Sequence, residues 1–294
     1  MPKVSVIVLT HNRPEMLRQA IGSILRQTFQ DFEIVLVDDA SRDNTPEVIK
    51  SFGDHRIKYI RHEVNKGEAG SRNTGVTNSS GDYIAFLDDD DEWLPEKLER
   101  QMRLLESSPS RVGAVYTGFL KVDPLTKKPI GRVTPTKRGN IFAEMAGQNW
   151  IGTPSTVVVR KECFERTGLF DEAIVFGTDY DMWIRISKEF HVEYIQEALI
   201  NYSVHENKMS GRPDLQIKGL EALLNKHGSY FASDSKNYSR RYSVLGLLYC
   251  HQGNAQKART ALLKAVSLYP FTLKCYFNLM LSFLGSANFR KIAG

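Results

Sequence analysis

Unbroken apolar runs alternate with segments of helical spacing through the first third of the chain. VSVIVL (4–9) is rich in β-branched residues and predicts a strand buried on both faces. The polar turn Thr10-His11-Asn12-Arg13 follows. Pro14 then marks a helix start, with Met16, Ala20, Ile24 and Leu25 at helical spacing. The cycle repeats with strand FEIVLV (32–37), which ends in Asp38-Asp39, and helix EVIKSF (47–52). Strand RIKYI (56–60), helix GEAGSRNTGV (67–76) and strand DYIAFL (82–87) come next. The last strand runs into Asp88-Asp89-Asp90-Asp91, and a helix is expected near Pro95.

Such alternation predicts an α/β fold with a mostly parallel central sheet flanked by helices. Ligands of these sheets bind beyond the carboxyl ends of the strands. The polar clusters at 10–13, 38–39 and 88–91 all follow strand ends, so they are expected on one rim. After residue 110 the pattern is mixed. VGAVYTGFLKVD and PIGRV read as strands joined by the turn PLTKKP, and STVVVR (155–160) as another. DYDMWIRISKEF (179–190) reads as a helix and VEYIQEALINYSVH (192–205) as extended. Beyond 212 the chain reads as helical. This divides it into a domain at 1–212 and a C-terminal extension at 213–294, with one tetratricopeptide-like hairpin at about 240–270 and no clear second unit.

Composition, at 41% hydrophobic and 25% charged, is that of an ordinary globular protein. The charge is uneven. Residues 205–294 hold 13 Lys/Arg and 4 Asp/Glu, a net of +9, whereas residues 1–204 hold 26 and 30, a net of −4. The basic tail points to an anionic partner such as a membrane surface, a lipid-linked phosphate or nucleic acid; a solvated basic helix face is the plainer alternative. Cys163, Cys250 and Cys275 show no metal-ligand spacing and fit a reducing compartment. The N-terminus reads as strand rather than signal peptide, so a cytoplasmic location is expected. CYFNLMLSFLG (275–285) is too short to span a bilayer, but suits a buried helix or a membrane interface.

Four consecutive carboxylates repel one another unless a cation is present. Oxygen-only donors suit Mg²⁺ or Mn²⁺, and a solvated acidic turn is the alternative. Asp38-Asp39 reads either as a turn-and-cap pair or as an acceptor for a base or ribose. GEAGSRNTGV lacks the ending of a phosphate loop, so its glycines predict close helix–sheet packing. Arg72 is placed to reach a phosphate or to sit in an ion pair. Asp179 fits a helix first turn, with Thr178 and Asp181 spaced as a capping box, yet a carboxylate there can also face a pocket. His205 and Ser210 close an extended run.

Five stretches resemble the family 2 glycosyltransferases, inverting enzymes of the GT-A fold. They are VSVIVLTHNRPEMLRQAIGSILRQTFQDFEIVLVDDASRDNT, NKGEAGSRNTGV, GDYIAFLDDDDEWLPEKL, GLFDEAIVFGTDYDMWIRI and YSVHENKMS, and together they span roughly residues 3–210. The resemblance implies a nucleotide-sugar donor, UDP-linked, and a saccharide or lipid-linked acceptor in polysaccharide, lipopolysaccharide or glycolipid assembly. No nucleic acid is implied. Thr10, His11 and Asn12 match the first strand's end beside the nucleotide base, and Asp39 matches the carboxylate that contacts it. Arg72 matches a basic position of the nucleotide pocket. Asp88 and Asp90 match the outer pair of the DxD signature, with Asp90 as the main metal ligand and Asp89 toward the ribose. Asp179 matches the catalytic base, and His205 a stretch near the diphosphate. Thr178 stands where the family often has Glu, which leaves the acceptor site open. The Gln-x-x-Arg-Trp signature of processive synthases is missing, so one sugar per encounter is expected. Among rivals, a sugar nucleotidyltransferase would need an early Gly-rich basic loop. A receiver domain fits the acidic run poorly, and an inactive binding protein would not need Asp90 and Asp179.

Overall fold

The computed structural model describes residues 1–205, 208 and 211–283; Ser210 and the end of the 275–285 segment lie outside them. The first half reads β1 (Val4–Thr10), α1 (Pro14–Leu25), β2 (Phe32–Asp38), α2 (Thr45–Ser51), β3 (Ile57–Arg61), α3 (Gly67–Thr77) and β4 (Tyr83–Asp88). It continues with β5 (Asp91–Trp93), α4 (Lys97–Ser107), β6 (Val112–Val122), β7 (Pro129–Val133) and α5 (Phe142–Met145). Then come β8 (Val157–Arg160), α6 (Glu162–Thr167), α7 (Thr178–Glu189) and β9 (His191–Ser203).

The strands form one nine-stranded sheet ordered β3-β2-β1-β4-β8-β6-β9-β5, with β7 on β6. The first four strands in this order are parallel, as the alternation predicts. The other half is mixed, in keeping with the change of pattern after residue 110. There β8 runs antiparallel to both β4 and β6, β7 antiparallel to β6, and β5 antiparallel to β9. Among the described residues of this half, only β6 and β9 pair in parallel. A parallel neighbour needs a long crossover connection, whereas a turn such as PLTKKP returns the chain antiparallel.

Both faces of the parallel half are covered. Val4, Val6 and Val8 share one core cluster with Leu17, Ile21 and Ile24 of α1 and Leu98, Met102 and Leu105 of α4. Burying each such side chain contributes roughly 1.5–3 kcal/mol. On the opposite face α3 crosses β1 at Gly75, where a Cβ would lie 2.4 Å from Ile7 Cγ2. The glycine is therefore what permits this close helix–sheet approach.

One core position breaks the apolar rule. Lys97 of α4 is fully buried, and its Nζ sits 3.9 Å over the Trp93 ring with no hydrogen-bond partner among the described residues. Burial holds its pKa well below the usual lysine value. A ring face returns about 2 kcal/mol to a desolvated cation, less than the several kcal/mol that desolvation costs.

The chain divides into two compact units. The first holds Met1–Met145, Asn149–Glu172 and Asp179–His205; the second holds Ala146–Gln148, Ala173–Thr178 and everything from Glu206. The second unit contains α8 (Pro213–Phe231), α9 (Ser235–Gln252), α10 (Ala255–Leu268) and α11 (Leu273–Leu281). α9 and α10 form a hairpin closed by Gly253 in the left-handed region, at φ +83°. Within it, Gly246 lets Leu262 approach, and the Ser239 hydroxyl donates to the Ala265 carbonyl at 2.7 Å.

Candidate active site

Strand register sets the rim. β1 and β2 pair with Thr10 opposite Asp38, and β1 and β4 with Leu9 opposite Asp88, so three polar strand ends stand side by side. The loops after β1 and β2 then lock together. The Asn12 N–H donates to Ser41 Oγ at 2.9 Å, and the Arg42 N–H donates to Asn12 Oδ1 at 2.7 Å. Asn12 and Ala40 both take positive φ, +53° and +62°. Asn tolerates that conformation; for Ala40 it is a strain of order 1–3 kcal/mol, at a position between the two aspartates and Ser41.

The two aspartates at the end of β2 have different work. Asp38 is fully buried and accepts from the Ser41 N–H and the Tyr59 hydroxyl, both at 2.8 Å, which is the turn role. Asp39 ties β3 and α3 to the rim. Its Oδ1 accepts from His62 Nδ1 and the Lys66 N–H, both at 2.8 Å, and its Oδ2 accepts from the Gly67 N–H at 2.9 Å. A carboxylate has about four acceptor positions, so one on Oδ2 remains for a ligand donor. His11 is exposed beside it, with Nδ1 donating to the Asp39 carbonyl at 2.7 Å and Nε2 accepting from Asn12 at 2.9 Å.

The acidic run is not one loop of four equivalent carboxylates. Asp91 opens β5 and is buried, and its Oδ2 accepts from Ser155 Oγ at 2.8 Å. Asp89 is buried and turns toward β1, accepting from Thr10 Oγ1 at 2.9 Å and from Arg13 at 3.1 Å. Burial, with Asp90 adding to it against the pull of Arg13, pushes the Asp89 carboxyl up to about 7. Asp90 accepts from His205 Nε2 at 2.9 Å and lies 3.6 Å from Arg13. Antiparallel pairing of Asp91 with Tyr202 brings His205 there from 115 residues away. Asp88 is the more open of the outer pair, its side chain 29% exposed against 7% for Asp90.

Arg72 links the acidic run to the neighbourhood of α7. Its buried guanidinium pairs with Asp88 at 3.1 Å and with Glu68 at 3.2 Å. Burial pulls its pKa down, but Glu68, Asp88 and Asp179 more than offset this. It is therefore a fixed cation on the rim, in an ion pair. Asp179 stands in the first turn of α7. Burial pushes its carboxyl up to about 6, with Arg72 and the Tyr180 N–H holding it back and Glu68 and Asp88 adding to the rise. Asp181, which the sequence pairs with Thr178 in a capping box, forms an ion pair with Arg185 at 2.9 Å.

No local pattern in the sequence marks Arg13, His62 or Asn149. Arg13 lies inside the polar cluster at 10–13, but its partners are 76 and 77 residues away and carry no local signal. Asn149 lies in a stretch without periodicity, yet its Nδ2 donates to Asp179 Oδ2 at 3.1 Å.

Among the described residues no three His, Cys, Asp or Glu side chains converge as a protein-only metal cage. The donor set still fits a hard cation, because Mg²⁺ commonly takes one or two carboxylates and completes its shell with water and substrate phosphate. The rise at Asp89 is partly the effect of Asp90, which reflects the carboxylate crowding that a divalent ion would relieve.

The model of glycosyl transferase family 2 matches residues 5–168. The chain belongs to that family. It is 31% identical over 227 residues to an uncharacterized glycosyltransferase of Rickettsia typhi, covering 76% of this chain and 70% of that one. It is 30% identical over 220 residues to WfgD of Escherichia coli, named as a UDP-Glc:alpha-D-GlcNAc-diphosphoundecaprenol beta-1,3-glucosyltransferase, covering 73% of this chain and 82% of that one. In fold it is similar to S. aureus TarS 1–349 solved with UDP-GlcNAc, with TM-score 0.62 and 15% identity over 91% of this chain and 89% of that one. It is also similar to the Pyrobaculum calidifontis mannosyltransferase PcManGT solved with GDP-Man and Mn²⁺, with TM-score 0.60 and 20% identity over 96% and 80%. This family 2 transferase thus has the GT-A fold.

Proposed function

We propose that the chain moves one sugar from a UDP-linked donor to an acceptor hydroxyl with inversion, and that the acceptor is a saccharide or lipid-linked saccharide of cell-surface polysaccharide assembly. The observation that carries this reading is that the buried Arg72, paired with Asp88 of the acidic run at 3.1 Å, also acts electrostatically on Asp179, whose carboxyl is raised to about 6. A general base works best with a pKa near the operating pH. Asp179 accepts the proton of the acceptor hydroxyl as that oxygen bonds to the anomeric carbon. The bond from that carbon to the diphosphate breaks, and the nucleoside diphosphate leaves with the electron pair. Asp39 and the His11 ring receive the base, and Arg72 adds fixed positive charge near the diphosphate. A divalent cation, Mn²⁺ or Mg²⁺, held by Asp90 with Asp88 would neutralise charge on the leaving diphosphate. The UDP donor and lipid-linked acceptor in the name of the E. coli relative support the choice of substrates.

A thermal-shift panel of UDP- and GDP-sugars, with and without Mn²⁺, tests the donor class. Stabilisation is expected from one UDP-sugar, and only with metal. Equal stabilisation by GDP-sugars, or none by any nucleotide sugar, would overturn the reading. NMR of the anomeric proton in the product tests inversion.

A further inference from the structure

The last described helix is apolar on its exposed side as well as its buried one. α11 buries Cys275, Asn278 and Leu281, and Ser282 after it is buried too. Its exposed side carries Leu273, Tyr276, Phe277 and Met280, the first 84% and the last 65% exposed. At about 100° per residue these four share one face. Phe271 before the helix and Phe283 after it are exposed too, at 81% and 64%. Water-facing helices normally show the opposite arrangement, and contiguous exposed apolar patches mark interaction sites.

The charge of this stretch of sequence has one sign. From Ser235 to the end the sequence has nine Lys/Arg and no Asp or Glu. The Arg259 guanidinium lies 4.5 Å over the Phe283 ring, so a cation borders the stripe directly. Lys264 and Lys274 are exposed on α10 and α11. No helix among the described residues is long and apolar enough to cross a membrane.

We propose that the outer face of α11 docks on an anionic lipid bilayer. Its aromatic and aliphatic side chains would enter the boundary between headgroups and acyl chains, while Arg259, Lys264 and Lys274 meet lipid phosphates. This division of labour is that of an interfacial helix. A second copy fits less well, because two such faces would oppose cations with cations. Nucleic acid would satisfy the cations but leave the apolar stripe without a partner. The inference goes beyond the transferase reading and holds whether or not the acceptor is lipid-linked.

Cosedimentation of the full chain with phosphatidylcholine vesicles, with and without phosphatidylglycerol, tests it at low and high salt. Binding is expected only with phosphatidylglycerol, and is expected to weaken with salt. Phe277→Glu with Met280→Glu should reduce partitioning at least about tenfold. Lys264→Glu and Lys274→Glu should each reduce it about fivefold or more. Far-UV circular dichroism checks that the variants fold; if the glutamates unfold the chain, Leu273→Ser with Phe277→Ser replaces them. No binding to anionic vesicles at low salt would overturn the proposal. So would binding undiminished in the folded apolar-face variants, or a dimer that those variants alone dissolve.

Discussion

Asn149 and Asp179 meet through one hydrogen bond, Nδ2 to Oδ2 at 3.1 Å. The same carboxamide accepts the backbone N–H groups of Ile151 and Gly152 at 3.2 and 3.0 Å, so the loop at 149–152 holds it in place. Donation to a carboxylate orients it and favours its charged form. Asn149→Ala should lower kcat on the order of tenfold, because a misplaced base loses alignment. Donor KM should change less than about twofold, and the acidic limb of the kcat/KM profile should move to higher pH. Unchanged kcat and an unmoved limb would remove Asn149 from any positioning role.

Asp179→Asn should abolish transfer while leaving donor binding nearly intact, checked by turnover and by calorimetric titration of the donor. It should also stabilise the fold. The folded carboxyl, at about 6, lies above its ordinary value of 3.8, because burial disfavours its charge. Wild-type stability is therefore fully present below about pH 4 and falls as pH rises through 6. At pH 7.5 the variant should be about 1–2 kcal/mol more stable, after discounting for the partial exposure of the side chain. Denaturant melts at the two pH values should show the gain at pH 7.5 and its disappearance below pH 4.

Lys97→Met should raise stability at neutral pH by on the order of 1–3 kcal/mol, since it replaces a desolvated amine with an apolar chain of similar length. The folded pKa of Lys97 is depressed, so the unfolded chain binds the extra proton. Wild-type stability should consequently rise toward pH 10.5 relative to the variant. Parallel urea titrations across pH would detect this slope; identical pH dependence in the two proteins would argue against a neutral buried lysine.

Gly75→Ala tests the packing of α3 on β1. The added Cβ would sit 2.4 Å from Ile7 Cγ2, so one element must move. A loss of about 1–3 kcal/mol is expected from overpacking. Because α3 carries Arg72, donor affinity should fall as well. Pairing the change with Ile7→Val should recover part of the stability, and failure of that rescue in a melting experiment would place the cost elsewhere.

The rim was largely legible in the chain. Apolar runs such as VSVIVL and DYIAFL predict buried strands because burial on both faces requires continuous hydrophobicity. Glycines in 67–76 predicted close helix packing, which Gly75 fulfils against Ile7. The mixed half of the sheet was less legible, since short apolar runs carry no record of strand direction. Periodicity does not distinguish Asp38 from Asp39; the family resemblance points to Asp39, and the loop geometry gives Asp38 the turn role.

The sequence by itself determined the alternating first half, the placement of its polar clusters at strand ends, and the family. These depend on local periodicity and on motifs, and both are written along the chain. The tertiary structure alone decided that Asp91 is buried with Ser155, that Asp89 faces Thr10 and Arg13, and that Asp90 meets His205. It also decided that Asn149 holds Asp179. Such pairings depend on sheet order and strand register, which bring together residues far apart in sequence. Periodicity records which face of an element is buried, but not which partner it is buried against.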